Sequence, residues 1–168
     1  RSPNGFAISF LQQNCELDST LSVDYCLLKT NIKINWWPDN MTRVSAAIIK
    51  NSDNEILICQ RGPGGSCEFL WEFPGGKIEP GESPEECLVR ECLEELEIEI
   101  EVLDLFEETR YSYPERDIEF MFFTASLKKG VPVPSVHNCI KWVSPDKLQE
   151  HEFCPADVSV IEKLAKGM

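Results

Sequence analysis

Residues 76–98 read GKIEPGESPEECLVRECLEELEI, and the punctuation and charge spacing of this stretch decide the fold around it. Ser83-Pro84-Glu85-Glu86 is a helix start. Its hydroxyl caps the first turn, its proline occupies the first helical position, and Glu86 can bond back to the cap amide. The helix is predicted to run to about Leu96. At about 100° per residue, Leu88, Val89, Cys92, Leu93 and Leu96 fall on one face and Glu91, Glu94 and Glu95 on the opposite side. One face packs, and the other carries three carboxylates at i, i+3 and i+4. Carboxylates so close repel one another unless cations lie among them. Oxygen donors with no thiolate or imidazole select a hard divalent ion, Mg²⁺ first and Mn²⁺ second. Gly75 and Gly76, just upstream, let the backbone approach closely, so a peptide carbonyl can join the ligand set.

Strand signals surround this helix. Val44–Ile49 and Glu55–Arg61 are apolar, β-branched runs joined by Asn51-Ser52-Asp53-Asn54, which reads as a hairpin. Residues 62–66 form a Gly/Pro loop, and Leu70–Phe73 is a short aromatic strand broken by Pro74-Gly75-Gly76. Ile98–Val102 alternates with period two. Residues 105–112 and Ile118–Leu127 continue the sheet on either side of a Tyr113-Pro114-Glu115-Arg116 turn. A short strand at Lys141–Val143, a short helix after Ser144-Pro145 and a closing helix from Pro155 to Lys166 complete the pattern. The expected class is α+β, a mixed sheet sandwiched between helices. Residues 1–40 lack this periodicity and are expected to be an N-terminal extension of unknown role, with residues 41–168 as the catalytic domain and Met41 a candidate native start.

The chain has 168 residues and a net charge of -13. Thirteen acidic residues lie between Glu79 and Glu108 against the single basic Arg90, so one window carries nearly all the imbalance. A chain this acidic repels a polyphosphate backbone, which excludes binding to long nucleic acid through counterion release. Taken without its spacing, the acidic run reads as a solvated helix face or an interaction tail. The eight cysteines form no CxxC pair and read as scattered thiols of a reducing compartment. No 18-residue apolar stretch occurs, so the expectation is a soluble, cytoplasmic protein with no membrane contact.

Gly76, five residues, Glu82, seven residues and then Arg90-Glu91-Cys92-Leu93-Glu94-Glu95-Leu96-Glu97-Ile98 resemble the Nudix box, GX5EX7REUXEEXGU, where U is a bulky apolar residue. Two positions depart from it: Glu97 stands where glycine is usual, which puts the helix exit in question, and Cys92 is a small choice for the first U. Trp71–Glu79, Tyr113–Arg116 and Pro155-Ala156-Asp157 are similar to flanking motifs of the MutT-like branch, in that order along the chain. The resemblance implies a Nudix fold across residues 41–168 and a nucleoside triphosphate pyrophosphohydrolase.

The same resemblance implies roles residue by residue. The Gly75 carbonyl and the carboxylates of Glu91, Glu94 and Glu95 would bind Mg²⁺, with Glu82 nearby as a further ligand or orienting acid and Arg90 holding the glutamates. Arg61 and Lys77 would contact phosphates. Phe73 and Tyr113 would line or stack in the base pocket, Arg116 would border it, and Asp157 would hydrogen-bond the base edge. Many relatives carry a glutamate before a His in the segment leading to Trp142, where this chain has Val136-His137. Either another residue supplies that ligand or one metal site is weakened, and His137 itself reads as a loop residue. The implied reaction is attack of water at the β-phosphorus, releasing a monophosphate and pyrophosphate, with one of the three helix glutamates as base. The implied substrate is 8-oxo-dGTP, for nucleotide pool sanitation. Asp157 in place of Asn keeps CTP or 5-methyl-dCTP as an alternative, because a carboxylate donates a hydrogen bond only when protonated. A non-catalytic nucleotide-binding Nudix module and a metal-free acidic interaction domain are the readings of other classes. Oligomeric state is not legible.

Overall fold

The computed structural model describes residues 41–114 and 116–167, so the N-terminal extension expected at residues 1–40 lies outside the described residues. Strands β1 (Thr42–Lys50), β2 (Ile56–Gln60), β3 (Trp71–Glu72) and β4 (Gly75–Lys77) precede helix α1 (Pro84–Leu96). Then come β5 (Glu99–Tyr113), β6 (Arg116–Lys129), β7 (Cys139–Val143), two 3-10 turns (Pro145–Glu150 and Pro155–Asp157) and helix α2 (Val158–Ala165). The strands form one seven-stranded mixed sheet in the order β3-β2-β1-β6-β5, with β4 pairing β1 and β7 pairing β2. β1 runs parallel to β6 over its whole length and meets β2 antiparallel at the hairpin end, where Lys50 faces Ile56.

Central strands read as unbroken apolar runs because both faces of the sheet are covered. Ala46 and Ile48 of β1, Ile56 and Ile58 of β2 and Phe122 of β6 point into one core, closed by Val160, Ile161 and Leu164 of α2. Their neighbours Ala47, Ile49, Leu57, Cys59, Met121 and Phe123 point the other way, onto Leu88, Cys92 and Leu96 of α1. Truncating a fully buried leucine such as Leu88 or Leu96 is worth about 2–5 kcal/mol, so α1 is fastened to the sheet by a few side chains.

Helix α1 carries the expected capping box, with the Ser83 hydroxyl accepting from Glu86 N–H and the Glu86 carboxylate accepting from Ser83 N–H. It ends at Glu97, which takes the left-handed conformation (φ +58°) usually left to glycine; its N–H and that of Ile98 still close on the Leu93 and Cys92 carbonyls. The packing face differs from the expectation. Cys87, Leu88, Cys92 and Leu96 are buried, whereas Val89 and Leu93 are exposed. The stripe is shifted because the sheet meets α1 along the Leu88, Cys92, Leu96 row and, toward β4, at Cys87. Glu91 and Glu95 therefore flank the packed stripe rather than oppose it, and their side chains are only 14% and 23% exposed.

Two further boundaries change. The two strands expected at 98–102 and 105–112 are one strand, β5, bent by irregularities between Val102 and Glu107. The closing helix splits into a 3-10 turn, Pro155–Asp157, and α2 proper. Among the described residues no helix is long and apolar enough to cross a membrane.

Candidate active site

The site is assembled where β3, β4 and α1 meet. Pro74 O accepts from Ala47 N–H, and β4 then runs antiparallel to β1 with Gly75 opposite Ala46 and Gly76 opposite Ser45. A Cβ at Gly75 would strike the Ser45 carbonyl, and one at Gly76 would overlap the Glu91 carboxylate. Glycine at both positions is thus a packing demand: the strand lies directly against its neighbour, and the Glu91 head group is seated over the bare backbone of Gly76.

Arg90 organises the acids around it. Its Nε donates to Glu82 Oε1 (2.8 Å) and its Nη2 to Glu82 Oε2 (3.0 Å), a bidentate pair. Nη1 lies 2.9 Å from Glu91 Oε1 and donates to Glu94 Oε2 at 3.2 Å, while Nη2 also donates to the Lys77 carbonyl at 3.3 Å. The guanidinium holds the Glu82 carboxyl down at about 2. The third helix glutamate is treated differently. Burial pushes the Glu95 carboxyl up to about 7; the charges of Glu91 and Glu72 add to the rise, and those of His137 and Arg61 oppose it.

The six residues assigned to substrate, Arg61, Phe73, Lys77, Tyr113, Arg116 and Asp157, all line one cavity of about 340 Å³, together with Gly75 and Gly76. β3 builds its inner end: Trp71 N–H donates to Glu152 O and Cys154 N–H to Trp71 O, which carries Asp157 beneath Phe73. Phe73 is also a core residue, packed edge-on against Phe122, so one ring face serves the fold and the remainder the cavity. Asp157 is buried and accepts from Phe73 N–H at 3.5 Å. Its burial, with the Glu72 charge acting the same way, raises its carboxyl well above the ordinary 3.8. The upward shift favours the protonated form, which both donates and accepts, as an asparagine side chain does.

A second cavity of about 300 Å³ opens beside the first and shares Arg61 and Glu72 with it. Glu95 and His137 line it too. The sequence pattern alone does not single out Glu72. Its Oε2 accepts from Arg61 Nη1 at 2.7 Å, and it stands between the cavity of Asp157 and that of Glu95. The available signal was an acid between two aromatic residues in a short strand. Arg61 is therefore held in place by an acid while it faces both cavities.

Among the described residues no three His, Cys, Asp or Glu side chains are gathered as a ready-made metal cluster; Glu82, Glu91 and Glu94 are drawn onto Arg90 instead. The donor set nonetheless suits a hard divalent cation. Its side-chain donors are carboxylate oxygens, Glu91 rests in a cradle that any Cβ would fill, and the Glu95 carboxyl is raised first by burial and then by the charges of Glu91 and Glu72, a rise that a cation beside it opposes.

The family profile described as NUDIX domain matches residues 40–164. The chain belongs to the NUDIX domain family. Over 124 residues this NUDIX domain is 37% identical to the 8-oxo-dGTP diphosphatase of Escherichia coli (strain K12), a span of 74% of this chain and 96% of that one. It is 35% identical over 122 residues to the CTP pyrophosphohydrolase of the same strain, covering 73% and 90% of the two chains. Among solved structures it is similar to MutT from Methanosarcina mazei Go1, with a TM-score of 0.67 at 25% identity over 78% of this chain and 97% of that one. The E. coli ORF135 protein matches with a TM-score of 0.64 at 34% identity over 73% and 87% of the chains.

Proposed function

We propose that this NUDIX domain is a nucleoside triphosphate pyrophosphohydrolase that works with a divalent cation, Mg²⁺ or Mn²⁺, and prefers an oxidised purine nucleotide, 8-oxo-dGTP. The observation that carries the reading is the convergence of Asp157, Phe73 and Tyr113 with Arg61, Lys77 and Arg116 in one cavity whose floor, Gly75-Gly76, abuts Glu91. A base fits between the aromatic side chains with its edge toward Asp157, and the cationic side chains face the phosphates. In its protonated form, which burial favours, Asp157 can donate to a base oxygen and accept from a ring or amino N–H.

The Gly75 carbonyl and Glu91, Glu94 and Glu95 would hold the cation, which supplies a Lewis acid that neutralises phosphate charge. Arg90 and Glu82 orient those carboxylates through the bidentate pair. Arg61 and Lys77 hold the phosphate chain, and a glutamate of α1 takes the proton from the water attacking the β-phosphorus. Monophosphate and pyrophosphate leave.

Pyrophosphate release measured across a nucleotide panel with Mg²⁺ tests the proposal. Preference for 8-oxo-dGTP over dGTP supports it; preference for CTP or 5-methyl-dCTP moves the chain to the activity named for its second E. coli relative. No release from any nucleotide overturns it, and nucleotide binding without turnover would mark a binding module. The domain boundary is part of the proposal: a chain begun at Met41 is expected to keep the activity.

A further inference from the structure

The sequence reads His137 as a loop residue, yet its side chain is only 6% exposed. Its surroundings are fixed from both sides. Val133 N–H donates to Leu96 O at 2.9 Å and Ser135 N–H to Glu95 O at 3.1 Å, so the segment before His137 caps the last carbonyls of α1. On the other side Asn138 N–H donates to Gln60 O at 2.9 Å and Asn138 Nδ2 to Gln60 Oε1 at 2.7 Å, which fastens the segment to β2. Between these anchors the imidazole is directed at two acids: Nε2 stands 3.6 Å from Glu72 Oε1 and 3.9 Å from Glu95 Oε2. Among the described residues Nδ1 is enclosed with no hydrogen-bond partner. A buried N–H without an acceptor costs more than a buried lone pair without a donor, so the N–H on Nε2 is the donor that faces the carboxylates.

We propose that His137 is a positioning residue for Glu95. Shared between Glu72 and Glu95, its Nε2–H holds the Glu95 carboxylate toward the cation site and keeps the two acids from separating under their mutual repulsion. Glu72 is in turn held by Arg61 at 2.7 Å, so the row Arg61, Glu72, His137, Glu95 joins the phosphate-facing cation to the helix carboxylate. Val136 and His137 both line the cavity that Glu72 and Glu95 share, and of the two only His137 carries a polar side chain. The inference rests on the proposed cation-dependent reaction.

The experiment uses the whole chain with His137→Ala and His137→Gln, glutamine having an amide N–H close to where Nε2 lies. Three quantities are measured: Mn²⁺ binding followed by electron paramagnetic resonance without nucleotide, kcat and KM for the best nucleotide, and Tm. For His137→Ala, Mn²⁺ affinity and kcat are expected to fall about 10–100-fold, the range seen when a group supporting a metal ligand is lost. KM should stay within about threefold and glutamine should recover most of the loss. If His137→Ala does not fold, His137→Gln against the parent carries the comparison, with near-parent values expected. Mn²⁺ affinity and kcat within about twofold of the parent in His137→Ala overturn the proposal. So does a fall in Tm with a rise in KM that glutamine does not repair, because that marks a purely structural ring. A parent chain that neither binds Mn²⁺ nor hydrolyses any nucleotide overturns the underlying reaction and the positioning role with it. An active parent with an indifferent His137 overturns only the latter.

Discussion

Replacing Arg90 by glutamine removes the guanidinium that Glu82, Glu91 and Glu94 share, and the cost can be worked from Glu82. Its carboxyl falls from 4.5 to about 2 in the folded chain, chiefly through the Arg90 hydrogen bonds. At about 1.4 kcal/mol per unit, that shift sets a ceiling of roughly 3 kcal/mol. Both partners lie at the edge of solvent, with side chains 14% and 26% exposed, and screening there brings the contribution to about 1–2 kcal/mol. The sign follows from the direction of the shift. A carboxyl lower in the folded than in the unfolded chain stabilises fully above about 4.5, and that contribution is lost as pH falls from there to about 2. Thermal unfolding of parent and Arg90→Gln at pH 7 is therefore expected to differ by about 3–8 °C in Tm. The difference should shrink progressively below pH 4.5. An equal loss at pH 3 and pH 7 would show that Arg90 acts through packing of its stem, and no loss at pH 7 would show that the bidentate pair contributes nothing. Turnover should fall about 10–100-fold, because Glu91 and Glu94 lose their common anchor.

Glu97→Gly removes a side chain from a left-handed residue and is expected to raise stability by about 1 kcal/mol, read as a higher urea midpoint with unchanged kcat. Asp157→Asn should retain nucleotide hydrolysis, since asparagine copies the neutral carboxyl, whereas Asp157→Ala should lose it. Because the Asp157 carboxyl is raised in the folded chain, its contribution is full below the ordinary 3.8 and declines as pH rises toward the folded value. The asparagine variant should lack that decline, and denaturation midpoints compared between pH 4 and pH 8 check it. Glu94→Gln and Glu95→Gln are each expected to lower kcat by about 10²–10⁴-fold with circular dichroism unchanged; near-parent rates in both would refute the glutamate site.

The helix that carries the acids was legible because its signals are local. Ser83, Pro84 and Glu86 set the start within one turn, and Arg90, Glu91, Glu94 and Glu95 sit at offsets that place them on neighbouring ridges. Which of those ridges packs was not legible: Val89 and Leu93 are as apolar as Leu88, and only the position of the sheet leaves them in water. The same holds for β5, where Leu103 and Leu105 stay exposed on a bent strand that the period-two pattern divided into two.

Sequence alone determined the chemistry available to this protein: a capped helix with three carboxylates at one end of a glycine pair, an acid and an arginine at fixed distances, and the order of strands around them. Those are decided by contacts within a few residues, where spacing translates directly into direction. Tertiary structure decided which groups share a site. Pairing of β3 and β7 on either side of β2 brings Glu72 and His137 to Glu95, and the bridge from Trp71 to Phe153 sets Asp157 beneath Phe73. The upward shifts of the Asp157 and Glu95 carboxyls arise there as well, since burial and neighbouring charge come only when distant segments close over them.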